Sequence, residues 1–470
     1  MKKLFHQKAI DIIKATQKRQ WGNMSNARSP LNGIKALLNF KDKKFGIMFH
    51  GGSMRHRAGI DIGKYYKKIL FASAHTEVEF KSVYLSHQGK DTRGSVDFFY
   101  SKGYSENRQF FYRLLLPLGK DYNFLYQIEN IVISTDLGWQ TSHATQLQIG
   151  EAEMVICIVH DKEKNYFLSI ESNKRHNYKE FSGTAYGCLN SIGYVTGFLP
   201  GDGGYFFCYT TAIMNEPLHF YYCTFRPTIK TSYRPIHTNP FAYLSAKRKL
   251  ADRYFKKELL KPISRVQLSN LAEKLIGDIN LTGAIILILE SSVASLMFMP
   301  GGFAIALETL SDIIIGDDKE KLAPIPSPAL SKIIRKECND VINKHKDSLT
   351  EEGRKTLLSK IEHINQMPNK ARLQAPFKKL GIVLNDSDLL VLDSRNDFLH
   401  GRTPDFTGAG YARSLDREIK DMYYAAMRFY TLLSMLILKW AGYDNYVLNF
   451  PKIYEDYCKV KLAEPYYREV

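Results

Sequence analysis

The sequence predicts an α+β chain, a mainly antiparallel β domain followed by an all-helical one. Three observations predict it. From about residue 34 to residue 230, short apolar and aromatic runs are broken by glycine, asparagine and aspartate, as strands are by turns. Pro227, Pro235 and Pro240 then interrupt that pattern. From 266 onward every strong pattern has helical period. The expected domains are therefore 1–235 and 240–470, and the 470 residues are enough for each to bury a core.

Composition narrows the class. Hydrophobic residues make up 44% and charged residues 24%, which excludes a disordered or fibrous chain. A formal net charge of +17 favours a polyanionic partner such as RNA, although a generally basic composition gives the same number. The six cysteines, at 157, 188, 208, 223, 338 and 458, form no Cys-x-x-Cys and no zinc-like spacing with histidine. With no secretory leader, the expectation is reduced thiols in the cytoplasm, and neither metal nor cofactor.

In chain order, residues 4–20 read as a short amphipathic helix, with Leu4, Phe5, Ile10, Ile12 and Ile13 on its apolar face. The strand candidates include Phe45–Phe49, Val78–Phe80, Val96–Tyr100 and Met154–Val159. Gly201-Asp202-Gly203-Gly204 reads as a hairpin turn between strands at Tyr194–Phe198 and Tyr205–Thr210. Together these strands predict a sandwich or a distorted barrel. The loop His50–Arg57 mixes glycine, arginine and histidine, but it lacks any Walker or dinucleotide spacing and reads as an inter-strand loop.

Between the domains, Ala242–Leu260 reads as a basic connecting helix, whose Lys247, Arg248 and Lys249 are candidates for contact with an RNA backbone or for a solvated face. Gln267–Met299 follows as a helix with an apolar stretch, Leu281–Met299, that suits a buried bundle helix better than a membrane span, because it carries Glu290 and lacks aromatic belts. On the next helix, Phe303–Ile315, Glu308 is a carboxylate among apolar neighbours and calls for a buried partner. An exposed loop at 317–328 precedes helices at about 329–347, 351–365 and 369–380, then one at 386–400. A last long helix from Ala412 to Ala441 carries a stripe of Leu415, Ile419, Met422, Tyr423, Ala426, Phe429 and Leu433.

The functional expectation rests on Arg395-Asn396-Asp397-Phe398-Leu399-His400-Gly401, at the end of the 386–400 helix. Arginine clamps phosphate with paired hydrogen bonds, histidine titrates near neutral pH, and glycine ends the helix. On a straight helix Asn396 and His400 lie about 40° apart but Arg395 and His400 about 140° apart. Two arrangements answer this: an irregular helix end at Gly401, or a site completed by a second copy of the motif across a two-fold axis. A plainer reading pairs Arg395 with Asp393 or Asp397 and leaves His400 as a C-terminal cap.

This Arg-Asn-x-x-x-His run in a helical domain resembles the signature of the HEPN superfamily of ribonucleases. The layout, a β-rich first part and a C-terminal HEPN-like bundle, resembles its ApeA-like branch. The resemblance covers the last half of the chain well and the first half only in layout. It implies a homodimer through the helical domain whose motif Arg and His cleave RNA, with tRNA among the candidates, without a metal. The 2′-hydroxyl attacks and a 2′,3′-cyclic phosphate is left. On that expectation Arg395, Asn396 and His400 are catalytic. Asp397, Glu308 and Arg402 support them, with Glu308 orienting the motif arginine and Glu290 as its competitor. The family setting implies anti-phage or abortive-infection defence, with domain 1–235 a sensor that restrains the nuclease until a phage-derived trigger binds. The competing expectation is a non-catalytic HEPN-like protein that dimerises, binds RNA or senses a ligand.

Overall fold

The structure is a computed structural model that describes the chain except residues 1–2, 27, 43, 50–59, 89–90, 119–126, 227–229, 231, 235–248, 250–251, 254–255, 259–260 and 407–413. The His50–Arg57 loop, Lys247 and Arg248 lie outside the described residues. The chain divides into two compact units, Met1–Asn239 with Lys261–Asp278, and Pro240–Leu260 with Ile279–Val470. The first is β-rich with antiparallel pairing and the second is helical, so the architecture is α+β.

In the first unit, among the described residues, fifteen strands form one sheet. Six of them, β2 (Gln20–Ser25), β3 (Lys35–Lys41), β4 (Lys44–Phe49), β5 (Tyr65–Ser73), β6 (Glu77–Gln88) and β7 (Asp91–Val96), close a barrel in the order β6-β5-β2-β3-β4-β7, because β7 pairs with both β4 and β6. Closure removes two edges that would otherwise stay open. Period-two burial fills the inside: along β2, Gln20, Gly22 and Met24 are buried while Trp21, Asn23 and Ser25 face out. Gly22 has to be small, since a Cβ there would lie 2.6 Å from the Ala72 carbonyl oxygen.

The sheet continues through β8 (Phe98–Ser101), β15 (His219–Arg226), β14 (Asp202–Tyr209), β9 (Phe110–Leu118), β13 (Tyr166–His176), β12 (Ala152–His160), β11 (Gln140–Ile149) and β10 (Ile131–Thr135). At its edge β1 (Lys3–Leu4) pairs parallel with β10, so the segment read as helical from residue 4 starts as a strand, and α1 spans only Gln7–Gln17. The Asp136 carboxylate accepts from the His6 and Gln7 amides at 2.7 and 3.1 Å and so anchors the start of α1. Beneath it, Arg113 of β9 is fully buried and pairs with Glu171 of β13 at 2.7 Å, and its guanidinium also donates to the Phe5 carbonyl.

The hairpin expected at 201–204 is not there. Tyr178–Thr196 is a helix, α2, closed at its start by a reciprocal Asn177–Glu180 capping box and at its end by Gly197 at φ 70°. Gly203 and Gly204 lie inside β14. The predicted helix Gln267–Met299 is also broken, into α3 (Arg265–Gly277) and α4 (Ile279–Ser292). α3 belongs to the β-rich unit: Ser269 accepts from the Gln148 amide at 2.9 Å, and Arg265 meets Glu129 at 3.0 Å. A Cβ on Gly187 of α2 would lie 2.3 Å from Ile276, so that glycine lets α2 and α3 touch.

The helical unit is built on α5 (Met299–Ile315), which packs against α4, α8 (Asn369–Lys379), α10 (Arg395–Leu399) and α11 (Leu415–Trp440). Phe303 of α5 stacks on Tyr430 of α11 at 5.3 Å. α11 is buried from Tyr424 to Leu438, while Leu415, expected in its stripe, is 72% exposed at the first turn. α6 (Pro328–Lys344) and α7 (Glu351–Glu362) are largely exposed. The chain ends in α12 (Phe450–Ile453), α13 (Glu455–Cys458) and a ribbon of β16 (Tyr446–Leu448) with β17 (Tyr467–Glu469). Among the described residues one helix, Met299–Asp318, has the length and apolarity of a span, and 56% of its apolar 18-residue window is buried. At 14 residues, α4 is about 21 Å long and too short to cross a bilayer.

Candidate functional site

The helix expected over 386–400 breaks at Ser394 into α9 (Asp386–Asp393) and α10. Asn385 and Asp388 form a capping box that starts α9. At the break the Ser394 hydroxyl donates back to the Leu390 carbonyl at 2.9 Å, a local bond that competes with the helix ladder. α10 ends in a Schellman turn: the Arg402 amide donates to the Asp397 carbonyl at 2.7 Å and the Gly401 amide to Phe398 at 3.2 Å, with Gly401 at φ 69°.

This geometry separates the motif's two main groups. Arg395 is buried, 7% exposed, and forms an ion pair with Glu308 of α5. It also donates to the Asn396 side-chain oxygen. Its Nε–H is buried with no acceptor among the described residues. His400 is exposed at the helix end, and its ring has no hydrogen-bond partner among the described residues. Asn396 is exposed, and Asp397 lies 3.8 Å from Arg402.

The plainer reading of Arg395 does not occur. Asp393 accepts from Lys370 at 2.6 Å instead, and the charged group facing Asp397 is Arg402, at 3.8 Å. Of the two candidate carboxylates, Glu308 is the one that meets Arg395. Lys249 is exposed, but nothing in the described residues places it at the motif.

A second ionic cluster, which sequence reasoning missed, braces α9. Asp388 is fully buried and accepts from Arg468 twice at 2.8 Å and from Arg428 at 3.2 Å. Arg428 also donates to Glu464 at 2.7 and 2.8 Å and to the Tyr424 hydroxyl at 2.9 Å. Burial pushes the Glu464 carboxyl up, but the Arg428 hydrogen bonds outweigh it and hold Glu464 below the ordinary range. The signal was available, because an arginine between Met427 and Phe429 in an apolar helix needs a buried counter-charge.

Apolar groups meet at Phe398. Phe398 packs edge-on to Phe429 at 5.9 Å, and Gly301 of α5 lies against the Phe398 carbonyl. Phe298, Met297 and Ile305, at or near the start of α5, are 74%, 66% and 48% exposed, and Leu399 is 38% exposed. No family model, curated protein or solved structure matches the chain.

Proposed function

We propose that the protein is a HEPN-type, metal-independent endoribonuclease. The observation that carries this reading is the held arginine: Glu308 fixes a buried Arg395 with one N–H that has no acceptor among the described residues, five residues before an exposed histidine at a capped helix end. His400 serves as general acid/base for the ribose 2′-hydroxyl or the leaving oxygen, and the guanidinium of Arg395 stabilises the charge on the phosphorane. Asn396, which accepts from Arg395, hydrogen-bonds the phosphate or fixes His400. A histidine facing solvent and an arginine facing inward do not converge in one chain, which favours a site completed across a homodimer. The exposed Phe298, Met297, Ile305 and Leu399 supply an apolar face beside the motif for such pairing. The defence role, and the first unit as a sensor for a phage-derived trigger, extend the same reading.

Purified protein is incubated with total RNA and tRNA in EDTA, alongside His400→Ala and Arg395→Ala, and product ends are characterised. Cleavage leaving cyclic phosphate, lost in both variants, is the expected result. Equal cleavage by all three refutes the assignment.

The engagement of Arg395 with both Glu308 and Asn396 favours a second reading, in which it only braces α10 and the bundle is a non-catalytic dimerisation module. That reading predicts no cleavage and no growth defect on expression, with dimerisation intact in His400→Ala.

A further inference from the structure

Away from the motif, the helical unit holds a cleft of about 880 Å³ between the start of α6, the start of α8 and the side of α5. That volume suits a nucleotide-sized ligand. Its described lining carries three cationic side chains, Lys332, Arg335 and Arg372, against one carboxylate, Asp312. Asp312 is already paired with Arg372 through two bonds of 2.7 Å, which leaves Lys332 and Arg335 as surplus positive charge.

Two polar groups here are buried without partners among the described residues. The hydroxyl of Ser331, a residue only 4% exposed, has no hydrogen bond to them, and neither does Nε of Arg335. Ser331 and Arg335 are four residues apart on α6 and therefore on one face. A buried hydroxyl and a buried guanidinium N–H without a protein partner both call for an acceptor or donor at the cleft, and a ligand oxygen satisfies both. The first turn of α8 also opens here at Asn369, and its preceding residue, Pro368, supplies no side-chain cap, so the backbone amides of that turn add to the positive field. Part of the lining is apolar and pre-set: Asn365 bonds both the amide and the carbonyl of Ile325, at 2.7 and 3.0 Å, and Pro326 and Met367 line the same cleft.

We propose that this cleft binds the phosphate of a nucleotide, with Ser331, Lys332 and Arg335 holding the phosphate and the Ile325–Pro326 wall taking the base. The phosphate is carried by a free nucleotide or by the 5′ end of an RNA. The site is independent of the nuclease reading, and its test does not use cleavage.

Full-length protein carrying His400→Ala is titrated with fluorescently labelled ribonucleoside triphosphates, and with 5′-phosphorylated and 5′-hydroxyl RNA oligonucleotides. Unlabelled nucleoside and inorganic phosphate serve as competitors. Saturable binding is expected, with displacement by phosphate and not by nucleoside, and with affinity lowered about tenfold by Arg335→Gln and severalfold by Ser331→Ala. Lys332→Gln, at an exposed position, gives the same direction without risk to folding. Binding only of 5′-phosphorylated RNA identifies the RNA end as the source. No saturable binding by any of these probes, or binding unchanged in Arg335→Gln and Lys332→Gln, overturns the proposal.

Discussion

Glu308 on α5 and Arg395 at the start of α10 form an ion pair with side-chain exposures of 24% and 8%, and that pair decides which way the motif arginine faces. A guanidinium so deep in the bundle needs the carboxylate, because an uncompensated buried charge costs several kcal/mol.

Glu308→Gln is therefore expected to lower stability by about 1–3 kcal/mol, the partial exposure of Glu308 reducing the cost below that of a fully buried pair. Urea unfolding measures it. On the nuclease reading, cleavage falls further than the loss of folded protein accounts for. Wild-type stability in Glu308→Gln refutes the bracing role.

At Gly401 the left-handed backbone sets the requirement, since none of the described residues lies within 4 Å of where a Cβ would sit. Gly401→Ala is expected to cost about 1 kcal/mol from strain at positive φ. Gly401→Asn should recover part of it, because asparagine tolerates that region better. Equal thermal midpoints for wild type and Gly401→Ala argue against the Schellman turn.

Asp388→Asn leaves Arg428 and Arg468 facing a neutral group at a fully buried position. A loss of about 3–5 kcal/mol is expected. Asp388→Asn together with Arg468→Met should cost less than the sum of the two changes, because the cations and the carboxylate share one cluster. Additive losses show that the contacts are independent.

The β-rich unit should weaken in mild acid. Burial, with Arg113 beside it, holds His6 well below the ordinary histidine range, and burial also lowers His176 and His219. A histidine kept neutral in the folded state binds fewer protons than the unfolded chain, so its contribution is full above the unfolded value and is lost as pH falls through about 6.5 towards the folded one. The carboxylate contribution of Asp161, lowered to about 2, disappears only at more acid pH. Stability measured from pH 7.5 to 5 is expected to decline, with a shallower slope in His6→Gln. An unchanged slope assigns the acid sensitivity to other groups.

Much of this fold could be read locally. Gly401 marked the end of the motif helix, and α6, α7 and α8 fell close to their expected limits because helical periodicity is a local feature. Helix α2 could not be read in the same way, because Gly183, Gly187 and Gly193 weaken its helical propensity. What holds it is long-range: Gly187 admits Ile276. The Asn177-x-x-Glu180 capping box was its one local signal. The break at Ser394 was also hidden, since α9 and α10 join without glycine or proline. At the site, residue types pointed to Arg395 and His400, while the partnership with Glu308 and the Asp388 cluster depend on contacts across 36 to 87 residues of chain.

α10 is five residues long, too short to persist as a helix by its own backbone bonds. Its shape is therefore set by the Glu308 pair, the Phe398–Phe429 contact and the turn at Gly401. An element held only by its neighbours opens at a lower free energy than the bundle around it. Amide exchange at Phe398–His400 should accordingly be faster than in the buried half of α11, and the motif can change its arrangement while the rest of the helical unit stays folded.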